Sequence, residues 1–102
     1  MPRLAERAVG LYQAWAHALD TDDCAKATAN MTALAEQFAD VIAANAKILK
    51  AGHEQRKALK DALAPHDAEM EPAAKAIVAG AARCHDNADF VRAFDRIGGS
   101  PP

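Results

Sequence analysis

The two cysteines of the chain, Cys24 and Cys84, lie at equal distances from a centre near His53–Glu54, just past Gly52. Four further residue pairs share that centre: Met31 with Ile77, Phe38 with Met70, Asn45 with Leu63, and Leu49 with Leu59. Residues that face one another on two antiparallel helices are related in this way, and a glycine favours the turn between the helices. The pattern predicts an all-α fold, a small antiparallel helical bundle built on a long hairpin whose open end holds both cysteines.

The first arm of this hairpin carries a heptad pattern. Residues spaced by seven form two rows, one of Cys24, Met31, Phe38 and Asn45 and the other of Ala27, Leu34, Val41 and Ile48. Two such rows make one apolar seam along a helix. We therefore predict a continuous helix over residues 22–51, in which Asn45 is the polar residue that fixes the register.

The returning arm contains two prolines. Pro65 and Pro72 each lack a backbone N–H and clash with the preceding turn, so we expect a kink or short break near each. Beyond them, Gly80 and neighbouring alanines predict the close approach of another helix. Asp86 or Asn87 is expected to cap a short last helix.

A first helix and this last helix are predicted to pack on the hairpin, which would carry the core. Their inward faces contain Leu4, Ala8, Leu11, Trp15 and Leu19 in the first helix, and Phe90, Val91, Phe94 and Ile97 in the last. We expect a single domain over residues 1–97 and a flexible tail over residues 98–102.

The cysteine pair favours a disulfide, which in a loop of this length stabilises a small domain by about 4 kcal/mol. Free buried thiols, or a redox or metal-binding pair, are the alternatives. A disulfide predicts a periplasmic or secreted protein, whereas reduced thiols would fit the cytoplasm. No export signal precedes the first helix, and we expect a mature or trimmed chain whose Met1 was added.

Basic residues cluster around the hairpin turn, and we call this cluster the basic tip. It consists of Lys47, Lys50, His53, Arg56, Lys57 and Lys60. A helix dipole accounts for lysines at a helix end, but not for Arg56 and Lys57 at the start of the next helix. The basic tip predicts an acidic protein or an anionic surface as partner. Nucleic acid is disfavoured, because no aromatic side chain lies among the cations to stack on bases.

Carboxylates and a histidine gather at the opposite end of the hairpin. The predicted pairing of the cysteines brings Asp22, Asp23, Asp86 and Asp89 towards His85. Such side chains can hold a divalent cation, although helix capping also accounts for aspartates here. Haem held by Met31, Met70 or a histidine in the core is a related alternative.

Several function classes lack their sequence signatures. The chain has no nucleophile elbow, no HExxH motif and no glycine-rich phosphate loop, so we expect a non-enzymatic binding or structural module without a cofactor. It contains no apolar run long enough to cross a membrane. The net charge of −2 excludes neither an acidic nor a basic partner. A homodimer remains open, since some aromatic side chains could face a second copy.

The pattern over residues 20–97 resembles small exported all-helical bacterial proteins of uncharacterised function that carry two widely spaced cysteines. The matching features are Cys24 followed by the heptads, and Cys84-His85-Asp86-Asn87 followed by Phe90. The resemblance implies a disulfide and export, and it implies no activity. In length and four-helix character the chain also resembles small haem bundles. This resemblance concerns architecture alone, because the haem-ligand positions of those proteins have no match in this sequence.

Overall fold

The computed structural model of the protein describes residues 2–98, which form helices and no strand. The elements are α1 (Pro2–Ala18), α2 (Cys24–Gln37), α3 (Ala39–Lys50), α4 (His53–Leu63), a 3-10 turn (Ala64–His66), α5 (Asp67–Arg83) and α6 (Ala88–Gly98). The predicted all-α hairpin bundle is confirmed. Gly98 ends α6 rather than beginning a tail, and the rest of the predicted tail lies outside the described residues.

A disulfide joins Cys24, the first residue of α2, to Cys84, which follows α5. The two Cα atoms are 5.8 Å apart, and the chain turns back at Ala51 and Gly52 between α3 and α4. The hairpin arms are therefore α2–α3 and α4–α5, and α1 and α6 pack on them. The bond encloses both arms and leaves α1 and α6 outside the closed loop.

The hairpin arms supply buried core residues as expected, and α1 contributes a large share of the core beside them. Helix α1 packs along both α5 and α2. Six of its residues are buried, namely Ala5, Ala8, Val9, Leu11, Trp15 and Ala18, and Leu19 in the following turn is buried as well, whereas α4 has no buried residue. Met31 in α2 accepts a hydrogen bond from Trp15 Nε1 at 3.3 Å. A sequence pattern confined to the two arms could not assign these contacts, because they come from a third helix.

The predicted continuous helix over residues 22–51 is interrupted at Phe38. This residue has φ −110° and ψ 26°, so α2 ends at Gln37 and α3 begins at Ala39. The Arg7 guanidinium of α1 lies 5.2 Å from the centroid of the Phe38 ring and 2.7 Å from Asp40. The heptad rows continue through the break. The Arg7 contacts with Phe38 at the break and with Asp40 just after it come from α1.

The two prolines behave differently. Pro65 lies in the 3-10 turn that separates α4 from α5, as expected. Pro72 lies inside α5, which continues without a break. Because Pro72 is in the second turn, it removes only the hydrogen bond that its N–H would make to the Ala68 carbonyl.

Asn87 caps the last helix as expected, with its Oδ1 accepting the N–H of Phe90 at 3.0 Å. Phe90 and Ile97 are buried and Phe94 is partly buried, as predicted. The prediction for Val91 is wrong, because 37 % of this residue is exposed. Val91 follows Phe90 by one position, and this places it about 100° around the helix from the buried face.

Gly80 and Gly10 are both helical glycines with opposite surroundings, and we predict opposite effects of alanine. A Cβ at Gly80 would lie 2.9 Å from Leu19 Cβ, whereas one at Gly10 would lie 3.9 Å from the Phe38 ring. Gly80→Ala is expected to destabilise the fold by about 1–2 kcal/mol through overpacking. Gly10→Ala is expected to stabilise it by about 0.5–1 kcal/mol through helix propensity. Urea unfolding of both variants checks this, and a shift of the same sign in the two would contradict it.

Candidate functional site

The basic tip surrounds the turn between α3 and α4. Lys47 and Lys50 lie in the last turn of α3, and the other four members lie on α4, which begins at His53. All six side chains belong to exposed residues. Within the described part of the chain, none of the six forms a salt bridge with a carboxylate. The structure therefore brings the predicted cations together on one solvent-facing end.

Two residues at this end have further roles. Arg56 donates a hydrogen bond to the Leu49 carbonyl at 3.4 Å, which satisfies a backbone acceptor at the end of α3. The Leu49 side chain is 49 % exposed. The basic tip thus presents an apolar side chain among its cations.

An open groove begins at the basic tip and runs towards α5. Its volume is about 530 Å³, and its lining consists of Tyr12, Arg56, Leu59, Lys60, Leu63, Asp67, Met70, Glu71 and Ala74. Leucine, methionine and alanine form the floor, two basic residues come from α4, and two acidic residues come from α5. The groove has charges of both signs at its rim and an apolar interior.

A smaller cavity lies deeper between the helices. Its volume is about 150 Å³, and its lining consists of Ala8, Leu11, Tyr12, Trp15, Asn45, Leu49, Leu59, Leu63, Met70, Ile97 and Gly98. Four of these residues, Tyr12, Leu59, Leu63 and Met70, also line the groove. The cavity and the groove are therefore neighbours that share one wall.

Two of the acidic residues at the disulfide end make local contacts. Asp23 caps α2, accepting the N–H of Ala25 at 3.0 Å and that of Lys26 at 3.2 Å. Asp89 pairs with Arg92 on the same helix. Asp22 is an exposed residue of the turn before α2.

His85 has both ring nitrogens engaged. Its Nδ1 lies 2.9 Å from the Ala82 carbonyl oxygen, and its Nε2 lies 3.1 Å from the carboxylate of Asp86. Residues 2–98 contain no group of three or more His, Cys, Asp or Glu side chains placed to hold a metal ion. The predicted metal ligands therefore gain no support from their placement.

The candidate haem ligands also lack a shared cavity. Met31 is fully buried and accepts the Trp15 hydrogen bond, whereas Met70 lines the groove on α5. His17 is exposed on α1, and His66 lies 3.5 Å from Glu69. Axial ligation requires side chains that face one apolar site, and these residues face different surroundings.

The Asp40 carboxyl has a lowered pKa. The Arg7 side chain donates a hydrogen bond to it at 2.7 Å and holds the pKa of Asp40 below its ordinary value. This pair is exposed and joins α1 to the first turn of α3. The pair links α1 to the chain just after the break at Phe38, and we assign it a structural role rather than a catalytic one.

Sequence reasoning missed the groove and one further cation. Arg83 donates to the Leu19 carbonyl at 2.6 Å and so satisfies an acceptor in the turn after α1. Tyr12 forms a groove wall although it lies beside, and not on, the predicted apolar face of α1. The spacing of Leu59 with Leu63, and of Met70 with Ala74, was the available signal for the groove, since each pair places apolar residues one turn apart.

Within residues 2–98, none of the helices has the length and hydropathy needed to cross a bilayer. The chain matches no protein family, no curated protein and no solved structure. The placement of its own side chains is therefore what can be used to infer its function.

Proposed function

We propose that this protein is a non-enzymatic binding module of the periplasm or extracellular space, and that its basic tip binds an anionic surface. The observation that carries the proposal is the group of six exposed basic side chains around one helical turn. The disulfide supports the compartment, because such bonds persist where the environment is oxidising. It also stabilises the two arms that present the basic tip.

The surroundings of the basic tip favour an anionic lipid surface over an acidic protein. Leu49 exposes half of its surface among the cations. Binding to anionic membranes combines buried apolar area with attraction between basic side chains and lipid head groups. Each basic residue near such a surface contributes about 1 kcal/mol at low salt. An acidic protein would use the cations and would not require the exposed leucine.

Charge reversal at the basic tip tests this proposal. We expect Lys50→Glu, Lys57→Glu and Lys60→Glu together to weaken binding to phosphatidylglycerol vesicles by about a hundredfold or more. Arg56 is left unchanged, because it hydrogen-bonds the α3 backbone. Vesicle co-sedimentation at two salt concentrations measures the effect, and wild-type binding should weaken as salt rises.

The matched control reverses three other exposed cations, Lys26, Lys75 and Arg96, to glutamate. It has the same net charge as the tip variant, so a difference between the two locates the site. Equal binding by both variants, or binding of wild type to neutral phosphatidylcholine vesicles with the same affinity, would overturn the proposal. Binding to polyglutamate but not to vesicles would replace the lipid surface with an acidic protein.

A further inference from the structure

Asn45, which lines the smaller cavity, carries an unpaired hydrogen-bond acceptor. Asn45 Oδ1 is buried and has no hydrogen-bond partner, and it is the only side-chain nitrogen or oxygen atom in this condition within residues 2–98. Leaving a buried acceptor unpaired is unfavourable, because it has lost its water and gained nothing in return. Asn45 also lines the cavity, and because the terminal torsion of an asparagine side chain is broad, a turn of its amide would present Oδ1 to a molecule bound there.

A single water molecule is a poor partner in this cavity. Buried waters make about three hydrogen bonds to polar groups. The lining is mostly aliphatic, and the indole N–H of Trp15 already donates to Met31 at 3.3 Å. Beyond Asn45, Tyr12 is the remaining lining residue with an oxygen on its side chain. A water would therefore meet few partners in a space several times its own size.

The cavity has the volume of a site for one small ring. It measures about 150 Å³, and an apolar cavity of about that volume engineered in another protein binds benzene. The side chains of Leu11, Trp15 and Ile97 supply apolar surface around it. An apolar ring fits the lining, and a single donor on that ring satisfies Asn45.

We propose that this cavity binds a small monocyclic molecule that carries one hydroxyl or amine donor, with the donor directed at Asn45 Oδ1. The inference goes beyond the proposed function and does not depend on it. The site is formed by residues of five helices, Asn45 among them, and by none of the cations of the basic tip. Failure of vesicle binding would leave it unaffected.

Phenol and toluene test this site, because they share a ring and differ in the donor. We expect phenol to bind the oxidised full-length wild type, and Asn45→Leu to weaken phenol by about fivefold, the effect of one hydrogen bond between neutral groups. Toluene should bind Asn45→Leu at least as well as it binds wild type. Trp15 lines the cavity and is the only tryptophan, so its fluorescence reports occupancy alongside calorimetry.

Two further variants keep the outcome decisive. The leucine of Asn45→Leu could fill the cavity and so exclude phenol for a steric reason. Asn45→Ala also removes the acceptor but leaves the cavity open, and it should likewise lose the preference for phenol over toluene. Gln13→Leu adds an apolar side chain at an exposed position of α1 outside the cavity, and its affinities should equal those of wild type. Absence of phenol binding to wild type would overturn the proposal. Equal phenol affinity in wild type and both Asn45 variants would overturn it as well.

Discussion

Loss of the Cys24–Cys84 disulfide is expected to lower the free energy of unfolding by about 4 kcal/mol. The bond closes a loop with a sequence separation of 60 residues that contains α2 to α5. Without it, the unfolded chain gains conformational freedom and exposes more surface, so the dependence of stability on urea should also steepen. A domain of this size has a total stability of about 5–15 kcal/mol, and the loss is a large part of that.

Urea unfolding of wild type with and without reductant, beside a Cys24→Ala/Cys84→Ala variant, measures this effect. Alanine is chosen because Cys84 is buried, and serine would place a hydroxyl in the core. Reductant should destabilise wild type and leave the double variant unchanged. If wild type kept its free energy of unfolding in reductant while its mass showed that the disulfide had been reduced, the disulfide would not contribute to stability.

The sequence predicted those features that depend on regular spacing within one arm. The heptad rows identified Met31, Leu34, Val41 and Ile48 as core residues, and all four are buried. The symmetry of the chain about its turn predicted which cysteines would meet. Such predictions succeed because a helix places residues seven apart on one side, whatever lies opposite them.

Features that depend on a third helix could not be predicted in this way. The break at Phe38 occurs where Arg7 of α1 contacts both Phe38 and Asp40. The groove needs Tyr12 from α1 beside residues of α4 and α5. Neither set of contacts produces a regular spacing in the sequence, because the residues involved are distant along the chain and meet only when α1 packs on the hairpin.

Asn45 shows how one residue supports two interpretations. Its position in the heptad seam predicted a polar residue that fixes register, which requires a hydrogen-bond partner on the facing helix. Its oxygen has no such partner, and the residue lines a cavity. Register is constrained here by the disulfide and by the close contact between Gly80 and Leu19. The seam can therefore retain an unpaired amide for another role.

The attachment of α6 depends on Phe90, and we expect Phe90→Ala to destabilise the fold by about 3–5 kcal/mol. Phe90 is 1 % exposed, and its ring centroid lies 5.9 Å from that of Phe94, which in turn lies 4.7 Å from that of Trp15. Helix α6 packs on α2 and follows Cys84, so it lies outside the loop that the disulfide closes. Burial of its aromatic side chains is what keeps it docked.

The neighbouring residue supplies the control for this substitution. Val91→Ala removes apolar atoms from the same turn of α6 at a position that is 37 % exposed, and surface changes of this kind alter stability by no more than about 0.5 kcal/mol. Urea unfolding followed by Trp15 fluorescence measures both variants with the disulfide intact. Faster amide exchange confined to α6 in Phe90→Ala would indicate that this helix undocks by itself. Equal losses in the two variants would mean that the buried face of α6 has been assigned wrongly, because Val91 would then contribute to the core as much as Phe90 does.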